Sequence, residues 1–458
     1  MFNIFLLFLH KIIQFRYNMQ LPDKIKEAKQ LVVKADELKK NGKIPEAIEL
    51  YTKAMQSDTK NSFNFFKRGQ AYMHIDKISD AIADFNTAIA ISPEFSFAYY
   101  RRGLASLELQ QYRIAIDDFT RAVTLNPELK SIYSKRGYCY LVLKEYDKSI
   151  MDFTRAIEIE QPNATLYFYR ANCLFMLKNY EKAKDDYSES ILLNPNDERS
   201  LLSRGICLTN LGNTEESVLD FDRVITLNPT SKLAYQYRAI LSMQLKRYDT
   251  AIDDIDRLIK LKIEDKKSYV SRAYCNFQLK HYEAAVGDYT KAIALDSEDA
   301  GLYINRANAQ FNIGKYEEAV LDYQKAIELK PEYENVFISI ATCYSHLENY
   351  KEAIKYYTRT INNNPKYYTA YLSRGIAFMK LKYVNKALED FTLALEIKPD
   401  LSQAYLNRAL AFKSLDKFEE TAKDFLDYLF LVPADAKYVK QIKSWLKKNE
   451  FPFEVDKE

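Results

Sequence analysis

The chain has 458 residues, 47% hydrophobic and 28% charged, a balance that suits a globular protein with a sizeable core. Its 66 Lys and Arg against 63 Asp and Glu give a formal net charge of +3, so no strong pull toward nucleic acid is expected. Four histidines and no GxGxxG, GxxxxGK[ST] or HExxH pattern leave no motif for a nucleotide, a metal or another cofactor, and none is expected.

Residues 1–17, MFNIFLLFLHKIIQFRY, are apolar and aromatic. The run before His10 is nine residues, short of the roughly 20 that span a bilayer. It also lacks a positive n-region and a small-residue cleavage site. Residues 1–27 are read as a leader and linker, with the part before Met19 an artefact of the start site. A membrane anchor is the alternative.

From Ala28 to Asp435 the chain keeps a 34-residue period through twelve units, with no insertion or deletion. Such a period means a stack of like supersecondary units and leaves no room for a catalytic domain, so no enzyme is expected. Place 8 of each unit is Gly or Ala, as in Gly69, Ala171, Gly205 and Ala307; place 24 is large, as in Phe85, Tyr187, Phe221 and Tyr323. A small residue facing a large one is what two closely packed helices need. Places 4, 8 and 11 share a face of one helix, and places 20, 24 and 27 a face of a second. Proline closes eight units at place 32, from Pro93 to Pro433, and ends the second helix.

The places of Tyr133, Gly137, Tyr140, Phe153 and Ala156, with the closing prolines, resemble the tetratricopeptide repeat over residues 28–435. The resemblance implies an all-α fold, a right-handed superhelical solenoid of helix pairs whose first helices line a concave groove. Units 1, 7 and 8 depart from it with Thr59, Ile263 and Ser297 at place 32, and unit 4 has Pro162 one place late. These are read as softer joints.

All five cysteines, Cys139, Cys173, Cys207, Cys275 and Cys343, occupy place 10, where other units mostly have Ala. They are read as small buried residues in a reducing compartment. Place 7 is Arg in ten units and place 23 is Asp in the same ten; units 1 and 10 lack both. Joint loss predicts an ion pair within each unit. A rival pairing is Asp118, Asp152 and Asp220 with Arg121, Arg155 and Arg223 three places on.

The resemblance places the groove at places 5, 9 and 12. Here that stripe is apolar: Tyr100, Leu104 and Leu107; Tyr138 and Leu141; Phe168, Asn172 and Phe175; Tyr274 and Phe277; Asn308 and Phe311. These places are expected to be exposed and free of helix-to-helix packing. They predict a protein partner, a peptide or amphipathic helix inserting apolar side chains; self-packing or a homodimer through the stripe is the alternative. The two-carboxylate clamp of co-chaperones needs Lys at place 5 before Asn at place 9, but Phe168 and Ile304 stand there beside Asn172 and Asn308. That role is not expected.

Residues 436–458 carry Tyr438, Val439, Ile442, Trp445 and Leu446 at helical spacing, with lysines on the other face. A stack of repeats needs such a lid; a basic membrane-surface helix is the alternative. The chain is thus read as a cytoplasmic, non-catalytic scaffold, with no nucleic acid, no small-molecule substrate and no membrane span. The runners-up are a membrane-tethered receptor and a regulatory or substrate-presenting subunit of a separate enzyme.

Overall fold

The computed structural model describes residues 23–161, 163–263 and 265–452. The expectations for the apolar leader and for Pro162 lie outside them. Among the described residues the regular structure is α-helix, with one 3-10 turn at Glu334–Val336 and no strand. The fold is all-α, of the solenoid class. The chain gathers into two compact units, Met1–Ala234 and Tyr235–Glu458. Within each, helices pack in chain order, most closely inside a pair such as Ser96–Glu108 with Tyr112–Leu125, or Ala300–Asn312 with Tyr316–Leu329.

Local chemistry sets the ends of these helices. Asn61, Asn163 and Asp299 cap first helices by accepting from the backbone N–H of Phe63, Thr165 and Gly301. Each first helix ends at place 12 to 14, and the chain turns at place 15, which is left-handed in all twelve repeats, with φ between +55° and +80°. Only Gly42, Gly212 and Gly314 are glycines there; elsewhere Lys, Asp, Gln or Glu holds the turn, as at Lys178 (φ 60°). Because this conformation favours glycine, the charged residues gave no sign of it in the sequence.

The core of each repeat is the place 8 to place 24 contact. Phe85, Phe119, Phe153, Phe221 and Phe391 are fully buried. A Cβ added at Gly69 would lie 2.7 Å from Phe85 Cε1, at Gly205 2.8 Å from Phe221 Cε1 and at Gly375 2.6 Å from Phe391 Cε1. The rings therefore rest directly on glycine backbone. The five glycines at place 8 all face Phe, whereas six of the seven alanines face Tyr or Ile. The exception is Ala409 with Phe425, whose ring meets Trp445 edge-on at 5.3 Å. Trp445 belongs to the last helix, Val439–Lys448, which buries Val439, Ile442 and Leu446 against Ala409, Phe425, Tyr428 and Leu429.

Candidate partner-binding surface

The arginines of place 7 are built into the walls of the array. In all ten repeats Nε and Nη2 fork onto the two oxygens of the place-23 aspartate at 2.5–2.9 Å, from Arg68–Asp84 to Arg408–Asp424. The pairs lie within a repeat, as the joint loss predicted. The rival pairing is not formed: Arg155 bonds Glu158 and Arg223 the carbonyl of Pro195. The Asp322 hydrogen bond raises the Arg306 guanidinium above its ordinary value, while burial pushes the Asp118 and Asp390 carboxyls up. Gain and desolvation thus oppose each other, and the ladder fixes geometry more than it adds stability.

A second arm of the arginine went unforeseen. In the first unit Nη1 of Arg68, Arg136, Arg170 and Arg204 donates to the hydroxyls of Thr52, Thr120, Thr154 and Ser188, and that of Arg102 to Asn86. In the second, Arg272, Arg306, Arg374 and Arg408 reach Asp256, Thr290, Thr358 and Thr392. All of these acceptors sit at place 25 of the preceding repeat. Repeat 10, which lacks the pair, is preceded by Gln324, whose amide donates to Tyr356 Oη instead at 3.2 Å. Arg359 there stacks on Phe337 and Tyr356.

The stripe of places 5, 9 and 12 departs from expectation. In the first unit Phe168 is buried, its ring 6.1 Å from Tyr187, and it belongs to that repeat's core. Tyr100 packs 6.1 Å from Phe119, and burial pushes its hydroxyl pKa up. Leu104 and Leu107 are half-buried against the same core. Tyr138 lies 5.5 Å from Tyr169, and Leu141 joins it against Phe153. Phe175 meets Tyr180 edge-on at 5.3 Å. In the second unit Phe277 and Phe311 repeat this contact with Tyr282 and Tyr316 at 5.2 and 5.3 Å. Tyr274, 45% exposed, is the most open of the twelve. These places do pack helix on helix, contrary to the sequence expectation. A neighbouring repeat covers one flank of each first helix, so a periodic stripe marks a face but not its depth.

Asn172 and Asn308 are also spoken for. Each accepts from the core tyrosine of its repeat, Tyr187 at 2.8 Å and Tyr323 at 2.6 Å; Tyr51 donates likewise to Asp36. Place 9 pairs a polar acceptor with a place-24 tyrosine in these three repeats, a covariation visible in the sequence.

Two cavities open beside the stripe. One, of about 360 Å³ in the first unit, is lined by Leu107, Ser134, Tyr138, Glu160 and Tyr169 among others. The other, of about 320 Å³ in the second unit, is lined by Asn335, Ile338, Thr360, Asn364 and Tyr367 among others. Sequence reasoning missed Glu160; its one signal was the late Pro162 two residues on. No group of three His, Cys, Asp or Glu side chains suits a metal among the described residues. All five cysteines are buried and free.

Tetratricopeptide-repeat models match residues 96–129, 131–163, 164–197, 198–231, 266–299, 300–333 and 344–402, more than half of the chain in all. The chain belongs to the tetratricopeptide-repeat family. As such an array it is a protein-interaction scaffold. Among curated proteins none matches the sequence. Among solved structures, it is similar to YrrB, described as a TPR protein with an unusual peptide-binding site (18% identity, covering 41% of this chain and 96% of that one, TM-score 0.39). It is similar to a tetratricopeptide repeat protein of Parabacteroides merdae (18%, 54% and 98%, TM-score 0.38) and to yeast Tom70 (17%, 93% and 96%, TM-score 0.34). No helix among the described residues is long and apolar enough to cross a membrane.

Proposed function

We propose that the chain is a non-catalytic cytoplasmic scaffold whose twelve repeats, 28–435, hold protein partners along the first helices, with Val439–Lys448 as the lid. The observation that carries this reading is the row of partly exposed rings, each anchored on another ring: Tyr100, Phe175, Phe277 and Phe311 on one of their own repeat, Tyr138 and Tyr274 on one of the adjoining repeat. Anchored rings with an open edge suit a partner's apolar side chains, since little ordering is left to do on binding. The test is differential capture from a cell extract, read by mass spectrometry, with the wild-type chain against Tyr100→Ala with Tyr274→Ala. A set of proteins should be lost at least tenfold from the variant while its thermal unfolding stays within a few degrees. Raising the salt should change the capture little, because apolar burial carries it. Identical capture by both chains removes this surface as the site. Phe168 is unsuitable for such a test, being part of the core.

A further inference from the structure

The last helix, Val439–Lys448, carries charge of one sign. From Ala436 to Asn449 there are five lysines, Lys437, Lys440, Lys443, Lys447 and Lys448, and no Asp, Glu or Arg. All but Lys443 are exposed. Among the described residues none of the five forms an ion pair, and Lys437 lies 5.2 Å over the ring of Tyr438. The helix that opens the array, Asp23–Lys40, differs: its exposed charges mix signs, Asp23, Glu27 and Glu37 among Lys24, Lys34 and Lys40. A lid needs a polar outside, not a cationic one.

The apolar side of this helix is already taken. Val439, Ile442 and Leu446 are buried, and Trp445 meets Phe425 edge-on at 5.3 Å and stacks on Phe451 at 6.0 Å. Lys413 lies 5.7 Å over the same indole. No apolar face is left to sink into a bilayer, the mode an isolated amphipathic helix uses. What turns outward is a stripe of ammonium groups: Lys440, Lys443 and Lys447 at i, i+3 and i+7, flanked by Lys437 and Lys448. We propose that this side of the lid docks the chain, peripherally and by charge alone, on an anionic lipid surface. The cations spread around a convex helix and do not converge on a cleft, so they match a plane of charge better than a single carboxylate. Clusters of about four to eight basic residues on one helix suit the anionic headgroups of a cytoplasmic leaflet. A nucleic-acid backbone is gripped best by forked guanidinium groups, yet none of the five is Arg, the residue that fills place 7 in ten repeats. The contact uses none of the rings assigned above to partner capture.

The test sediments the full chain with two kinds of vesicle, phosphatidylcholine alone and phosphatidylcholine with phosphatidylserine in roughly a 3:1 ratio. Binding should be at least tenfold tighter to the mixed vesicles and should fall steeply as salt is added. Lys437→Gln, Lys440→Gln, Lys447→Gln and Lys448→Gln together should erase that preference. A control that neutralises four exposed lysines elsewhere, Lys246→Gln, Lys280→Gln, Lys315→Gln and Lys382→Gln, should keep it despite the same change in net charge. Trp445 is the one tryptophan of the chain, so its emission reports on the lid. That emission should not shift to the blue on the vesicles, because the indole stays packed on Phe425 and Phe451. Attachment through the apolar residues 1–17 would instead be equal on both vesicles and indifferent to the lysines. Equal binding to both vesicles, equal loss in the two variants, a blue shift of Trp445, or tighter binding of polyglutamate or a short DNA duplex overturns the proposal. Should the lysine variant fail to fold, the vesicle and salt comparisons on the wild-type chain still decide.

Discussion

Replacing Gly375 by alanine sets a methyl group 2.6 Å from Phe391 Cε1, a ring that is fully buried and has nowhere to retreat. Overpacking of this kind costs about 1–3 kcal/mol, so chemical denaturation of Gly375→Ala should show a loss in that range. Adding Ile376→Asn and Phe391→Tyr copies the Ala307, Asn308 and Tyr323 solution of repeat 9 and should recover at least half of it. No recovery would mean that the covariation of places 8, 9 and 24 does not reflect this contact. The cysteines give a second prediction at this scale. Burial pushes the Cys139, Cys207 and Cys275 thiols up to about 11 and Cys343 to about 12. A thiol reagent near neutral pH should find no fast-reacting cysteine in the native chain and all five in denaturant. Because the folded values lie above the unfolded ones, the stability these thiols contribute is full below about pH 8.5. It falls as the pH rises through 11. A rapidly labelled native thiol would contradict this burial.

The helix pair is the scale at which the sequence was most legible. Places 7 and 23 gave the ion pairs because losing one partner goes with losing the other, and the Arg306–Asp322 fork is built as expected. A double-mutant cycle of Arg306→Ala and Asp322→Ala should show about 0.5–3 kcal/mol of coupling. Additive effects would reduce the ladder to a sequence habit. Thr290→Val removes the arm to the preceding repeat and should lower stability by about 0.5–1.5 kcal/mol, one ordinary hydrogen bond. That arm was legible in hindsight: place 25 is Thr, Ser, Asn or Asp before every arginine-bearing repeat. A periodicity within one repeat does not reveal it, because the arm crosses the joint to the repeat before. The left-handed turn at Lys178 was not legible because lysine does not favour that conformation, and the burial of Phe168 because its place in the period marks a face and not a depth.

For the molecule as a whole, stability is local and passes from neighbour to neighbour. Deleting the helix Val439–Lys448 exposes Phe425, Tyr428 and Leu429, which it covers. Hydrogen exchange should then quicken in Ser402–Lys413 and Phe418–Leu431 and stay unchanged in the repeats of the first unit. Uniform loss of protection would instead show one cooperative fold. The sequence showed this helix by its spacing, but it said little of the candidate surface. How open a ring stays depends on the repeat beside it, and Tyr274 and Phe168 differ in this despite similar chemistry.

The backward reach of each arginine also bears on how such a chain changes over generations. Excising residues 130–163 would bring Thr120 before Arg170 in place of Thr154, one hydroxyl for another. Excising residues 334–367 would bring Gln324 before Arg374 in place of Thr358 and exchange a short acceptor for a longer amide. Units in this lineage are interchangeable where the hook finds its eye, so duplication and loss should spare the seams on either side of repeat 10.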